Sequence, residues 1–345
     1  MDEIKQIMFY YNKIDIKNKL SSKSGLKNFS CKFYKDVTEI YDTITRIKNP
    51  VRNPSGFAPD DAAILGLLIR IWKILKEIVY YYRKGKADIT CLLDRQIVEA
   101  AVIAKYLLTK DKETIEDYRK CSYKNRLKIL TDTTNLPELF QPPALIRLKQ
   151  SIVEKMKNEN LDVNSFATQN QNKWKISGKN FSQIFSEIEP PKDYKYIYGI
   201  GSESIHGSWN DSMDFHLIKN DDGTFSPYPY YASTDIRYVT PLLRYTNDPY
   251  LLWLERIDAK SEYICKVFKW IKSVNKQLYI SFEKHYKIWG EIWTQFLLKI
   301  LKIQSKMKAI LKNKNLLLNL KNKDIFQVGT MLLKTKIKKF HVKWI

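Results

Sequence analysis

"AAILGLLIRIWKILKEIVYYY", residues 62–82, is the stretch that decides the fold. A membrane span needs roughly 20 uninterrupted apolar residues, and this run is broken by Arg70, Lys73, Lys76 and Glu77. Arg70, Lys73 and Glu77 stand at i, i+3 and i+7, which is one polar stripe on an otherwise apolar helix. The run therefore reads as a core helix. The preceding "NPVRNPSGFAPDD" (49–61) is a loop signal that offers Asp60 or Asp61 as a cap, and Gly85 ends the helix.

The same periodicity continues outward. "ADITCLLDRQIVEAAVIAKYLL" predicts a second long helix from residue 87, and "KETIEDYRKCSYKNRLKIL" a third after Asp111. "ALIRLKQSIVEKMKNEN" predicts a fourth, and "FSQIFSEI" a short one before Pro190 and Pro191. From "DPYLLWLERI" onward the helical period returns, with Pro249 placed in a first turn. "YKDVTEIYDTITRI" predicts a short helix near the N-terminus, and "HLIKNDDGTFSPYPYY" carries the Asp-Gly turn of a hairpin. The expected fold is all-α, an antiparallel helical bundle with one extended or hairpin excursion around 215–233. The expected divisions are an N-terminal arm with a short helix and Pro-rich loop (1–59), a main helical domain (60–290) and a Lys-rich tail (291–345).

With 44% hydrophobic residues and only 11 Gly and 12 Pro, the composition describes a folded, turn-poor chain. The formal charge of +22 invites a nucleic-acid reading, but residues 291–345 hold thirteen lysines and two acids, half of that excess. The tail has two readings: a basic arm for RNA, DNA or an anionic surface, or an A/T-rich coding sequence read in a shifted frame. Cys31, Cys91, Cys121 and Cys265 are far apart and no signal peptide opens the chain, so a reduced, cytoplasmic protein is expected.

On a helical wheel the second helix carries two polar stripes. Asp94 and Lys105, with Ala87 and Ala101, make a solvent face. Arg95, Glu99 and Tyr106, with Asp88, lie about 100° away and are expected to point inward. The i, i+4 spacing lets Arg95 and Glu99 pair.

"YIYGIGSESIHGS", from residue 196, supplies a facing helix on which Tyr194, Tyr198, Ser202 and His206 recur at steps of four. Gly199 and Gly201 there imply a close backbone approach. Neither a dinucleotide fingerprint nor a hydrolase elbow is present. Ser202 and His206, one turn apart, have the spacing of a nucleophile and base. His206 and His216, with Asp211 and Asp214 between them, lack the spacing of a zinc site, so no metal or cofactor is expected.

These residues resemble a bacterial family known as domain of unknown function 5677, in which an Arg and Glu four apart in a long helix precede Tyr-Leu and a later Tyr, Ser and His series. Arg95, Glu99, Tyr106, Tyr118, Tyr198, Ser202 and His206 match it over about residues 60–260. The resemblance implies a helical, intracellular bacterial protein with no established reaction.

The pairing also looks like the helical nucleases of phage-defence and toxin systems, although no arginine lies four to seven residues before any histidine. Two functions follow. One is a ligand-binding or interaction module, whose buried network presents Arg95, Tyr106, Tyr198 and His206 to a small anionic group. The alternative is a metal-independent ribonuclease with His206, Arg95, Glu99 and Ser202 as its catalytic set.

Overall fold

A computed structural model describes residues 1–121, 123, 126, 128, 142–161 and 174–286. The Lys-rich tail, His341 and the second half of the third predicted helix lie outside the described residues, apart from single positions at 123, 126 and 128. The fold is all-α. Among the described residues its α-helices of four or more residues are α1 (Asp2–Asn12), α2 (Ile16–Lys19), α3 (Lys23–Thr45), α4 (Pro59–Lys84), α5 (Ala87–Leu108), α6 (Lys112–Cys121), α7 (Pro143–Asn158), α8 (Phe181–Ile188), α9 (Ile200–Ile205), α10 (Thr240–Arg256) and α11 (262–286). The expected hairpin is present: β1 (Leu217–Lys219) pairs antiparallel with β2 (Phe225–Pro227), and Gly223 takes φ +89° in the turn.

α4 and α5 form the central hairpin. Its tight turn needs the left-handed Gly85, at φ +69°. Leu68, Ile71, Leu75, Ile78 and Tyr82 of α4 bury fully against the core, while Arg70, Lys73, Lys76 and Glu77 face outward. The cap differs from expectation. Ala58 is the N-cap, Pro59 fills the first turn, and Asp60 and Asp61 turn aside to pair with Arg256, while Asp61 also takes Arg52. These side chains line a polar cavity of about 390 Å³ whose charges largely satisfy one another. Among the described residues, no helix is long and apolar enough to cross a membrane.

Two helices start earlier than the sequence predicts. The short N-terminal helix is the second half of the 23-residue α3, and α10 begins at Thr240, so that Pro241 takes the first turn and Pro249 lies buried inside. α3 buries Ser30, Asp36, Thr38 and Thr43 among its apolar residues.

Thr38 donates to the Lys35 carbonyl at 2.6 Å and Thr43 to Glu3 at 2.7 Å, and a seam of phenols takes up Ser30 and Asp36. Tyr11 donates to Asp36 at 2.6 Å, Tyr82 meets Ser30 at 2.7 Å, and Tyr34 meets Thr240 at 2.7 Å. Tyr41 donates to Asn247 at 3.0 Å, and Tyr250 to the Leu68 carbonyl at 2.8 Å. The Tyr41 and Tyr250 rings stack at 4.0 Å, a contact worth about 0.5–1.5 kcal/mol beyond area burial.

Candidate functional site

α5 is flanked by α4, α8, α9 and α10, so it has almost no free face. The Asp94 and Lys105 stripe is therefore not a solvent face. Ala87 and Ala101 on it are fully buried, and Lys105 reaches Glu189 at 2.7 Å and Asp248 at 3.2 Å. Asp94 is half-buried as a residue, but its Oδ1 is enclosed without a hydrogen-bond partner, and burial holds its carboxyl well above the usual range. Packing on several sides overrides the helical wheel.

The other stripe opens towards α9. Before α9, residues Tyr194–Gly199 form a π-helical turn, a widened geometry often found at functional sites. It seats Tyr198 on Phe181 of α8 at 4.5 Å and on Tyr194 at 5.1 Å. The Arg95 guanidinium lies 4.5 Å from the centroid of the buried Tyr198 ring, in cation–π range. Tyr198 donates to Glu99 Oε2 at 3.4 Å. Burial, then the Glu99 charge, push the Tyr198 phenol up to about 12, with Arg95 opposing. That hydroxyl is a fixed donor at neutral pH.

Of the two glycines, Gly201 is the one that needs to be small. A Cβ there would meet the Arg95 Cβ at 3.3 Å and its backbone nitrogen at 3.4 Å, whereas one at Gly199 would meet only the Tyr194 carbonyl oxygen, at 3.9 Å. This close crossing brings His206, the C-cap of α9, to Arg95: His206 Nε2 lies 3.4 Å from Arg95 Nη1. Guanidinium can only donate, so the contact is a hydrogen bond only when Nε2 carries no proton. His206 is exposed and Arg95 half-buried.

Not every expected contact forms. Among the described residues no ion pair joins Arg95 to Glu99 or to any other carboxylate; the tyrosine ring and His206 take that place. Ser202 donates its hydroxyl to the Tyr198 carbonyl at 2.9 Å, one turn back, and the Ser202 hydroxyl makes no hydrogen bond with the His206 ring; the His206 backbone N–H donates to the Ser202 carbonyl at 3.1 Å. Tyr106 is 1% exposed and lies eleven residues beyond Arg95, about 16 Å along the helix axis, beneath Lys110 and Lys179. Tyr118 on α6 sits within the electrostatic reach of both Glu99 and Arg70, and burial raises its phenol. His216 approaches Asp211 at 3.6 Å, and His285 meets the Leu20 carbonyl at 2.9 Å.

An acidic group went unread in the sequence. Burial, and then repulsion by Asp211 and Glu203, raises the Asp214 carboxyl. Burial also raises Asp88, which leaves its Oδ1 without a partner, and raises the thiol of Cys91 beside Asp94. No spacing in the sequence joins residues 88–94 to 211–214; the fold alone does. Among the described residues, no three His, Cys, Asp or Glu side chains are placed to share a metal ion.

Residues 61–225 match a family described as a family of unknown function (DUF5677). The matched region contains Arg95, Glu99, Tyr118, Tyr198, Ser202 and His206, and it ends inside the hairpin. No curated protein and no solved structure matches the chain.

Proposed function

We propose that the α5–α9 crossing is an anion-binding site, with Arg95 and His206 as the two contacts and Tyr198 as the platform that holds the guanidinium. The observation that carries this reading is that two basic side chains face each other at 3.4 Å without a carboxylate on either. A phosphate or carboxylate group between them replaces one weak contact by two charge-assisted hydrogen bonds. Gly201 lets the two helices come close enough, and Glu99 fixes the Tyr198 hydroxyl rather than neutralising Arg95. The four cysteines are free, in keeping with a reducing compartment.

Thermal melts in inorganic phosphate test the reading. A ligand that binds only the native state raises its stability by RT ln(1 + [L]/Kd). The wild-type Tm is expected to climb with phosphate concentration, and the climb to vanish in Arg95→Ala and in His206→Ala. An equal climb in Arg95→Ala removes the proposal. The ribonuclease alternative uses the same pair, and the exposure of the His206 ring is what favours it. It predicts RNA degradation by the wild type and none by a well-folded His206→Ala.

A further inference from the structure

The outer surface of α4 carries a charge pattern that the Arg95 site does not account for. Between residues 70 and 86 stand six cations, Arg70, Lys73, Lys76, Arg83, Lys84 and Lys86, against the single carboxylate of Glu77. Five of the six are exposed and Lys86 is half-buried. Among the described residues none of them is ion-paired; their contacts are to Gln96 and to the rings of Trp72, Tyr80 and Tyr231. Elsewhere Lys105, Arg119, Arg237 and Arg256 each hold a carboxylate. A row of like charges this close repels itself, and an external polyanion relieves that repulsion.

Geometry places the cations on one face of α4, where Glu77 also lies. At 100° per residue the cations of α4 occupy an arc of about 140°, opposite the arc of Leu68, Ile71, Leu75, Ile78 and Tyr82 that enters the core. From Arg70 to Lys84 the row is about 21 Å long at 1.5 Å per residue.

Aromatic rings lie along it. Tyr80 is 51% exposed with Lys84 5.9 Å from its ring, and Tyr231 is 52% exposed with Lys86 at 4.2 Å. Tyr230 beside it is 71% exposed. At the other end, Arg70 donates to Gln96 Oε1 at 3.3 Å, and Gln96 is the neighbour of Arg95.

We infer that this face of α4 is a track for single-stranded nucleic acid. Its phosphodiesters run along the lysine and arginine row, its bases stack on Tyr80, Tyr230 and Tyr231, and one phosphate reaches Arg95 and His206 past Arg70. Cations interleaved with exposed rings suit unpaired bases, because a duplex keeps its base faces stacked inside. An anionic lipid surface satisfies the cations but gives the tyrosine faces no base to stack on. Only the last phosphate rests on the anion-site reading; the track on α4 stands without it.

Fluorescence anisotropy with the full chain and a labelled 12-nucleotide RNA, in parallel with DNA of the same sequence, tests the track. The logarithm of the binding constant falls with the logarithm of salt at about 0.7 per phosphate neutralised on a single strand. The variant Lys73→Gln/Lys76→Gln/Lys84→Gln alters exposed positions only, so its Tm is expected to match the wild type. It is expected to bind at least tenfold more weakly at 100 mM salt, with a slope shallower by about 2.

Tyr80→Ala/Tyr231→Ala is expected to lose at least about fivefold with the slope unchanged. Preference between the RNA and DNA arms reports whether the sugar is read. Unaltered affinity and slope in the triple variant overturn the inference, because binding then lies elsewhere in the chain. Binding to phosphatidylserine vesicles with none to either oligonucleotide overturns it as well. If Arg95→Ala leaves phosphate stabilisation intact while the triple variant loses the oligonucleotide, the anion-site reading falls and the track remains.

Discussion

The phenol seam around α3 and the α5–α9 crossing use the same kinds of residue in opposite ways. In the seam, Tyr11, Tyr34, Tyr41, Tyr82 and Tyr250 are buried and each hydroxyl has a partner inside the protein. At the crossing, Tyr198 gives its face to Arg95, and both Arg95 and His206 keep donors that no carboxylate takes. A buried polar group without a partner costs about 1–3 kcal/mol, so the seam is closed by necessity. The half-open crossing is under no such constraint, and its unspent donors remain for a ligand.

If that contrast is right, substitutions in the seam disturb stability and leave anion binding alone, while those at the crossing do the reverse. The largest effect is expected from Tyr41→Ala, which removes the stack on Tyr250 and the hydrogen bond to Asn247. Chemical denaturation is expected to show a loss of about 3–5 kcal/mol, with phosphate affinity of the folded protein unchanged. Gly201→Val comes next, because its added carbons must push α9 off the Arg95 backbone. A loss of about 1–3 kcal/mol is expected, and here phosphate binding weakens too. If Gly201→Val left both unchanged, the close crossing would not matter to the site.

Asp94→Asn sharpens the contrast from the other side, since its enclosed carboxyl lies on α5 within the electrostatic reach of Cys91 and Tyr238 and makes no ion pair with Arg95. Its folded pKa is raised, so the native state binds the proton more tightly than the unfolded chain does. Stability is therefore lost as pH rises from the ordinary aspartate range, near 3.9, towards the raised value, and stays lost above it. Asp94→Asn is expected to melt higher than the wild type at pH 7, by about 2–4 °C for each kcal/mol recovered, and to converge with it near pH 4. A lower Tm for the variant at pH 7 would show that the charged carboxylate has a partner. The smallest stability effect is expected from His206→Ala, within about 0.5 kcal/mol, because the ring is exposed.

Much of this architecture was legible from sequence because α4 and α5 place apolar residues at a clean 3.6 period and Gly85 marks the turn between them. The hairpin was legible from Asp222-Gly223 for a similarly local reason. The first half of α3 was not, because Ser30 occupies a core position by bonding to Tyr82, far away in sequence, and only that partner makes the pattern sensible. Asp94 misled for the converse reason. A wheel shows which residues share a face of α5, but not that neighbouring helices cover that face as well.

At the crossing, the step of four from Tyr198 to His206 suggested one face, and Gly201 suggested a close neighbour. The π-helical turn and the stacking of Arg95 on Tyr198, in place of a pair with Glu99, depend on the packing of α8 against that turn. No local pattern carries that information.

The most direct test of the central claim is the ring resonances of His206 by NMR during a titration with inorganic phosphate, assigned by their loss in His206→Gln. A saturable shift in the wild type that disappears in Arg95→Ala is the predicted result. A His206 ring that ignores phosphate, or that responds equally without Arg95, contradicts a shared anion site at the α5–α9 crossing.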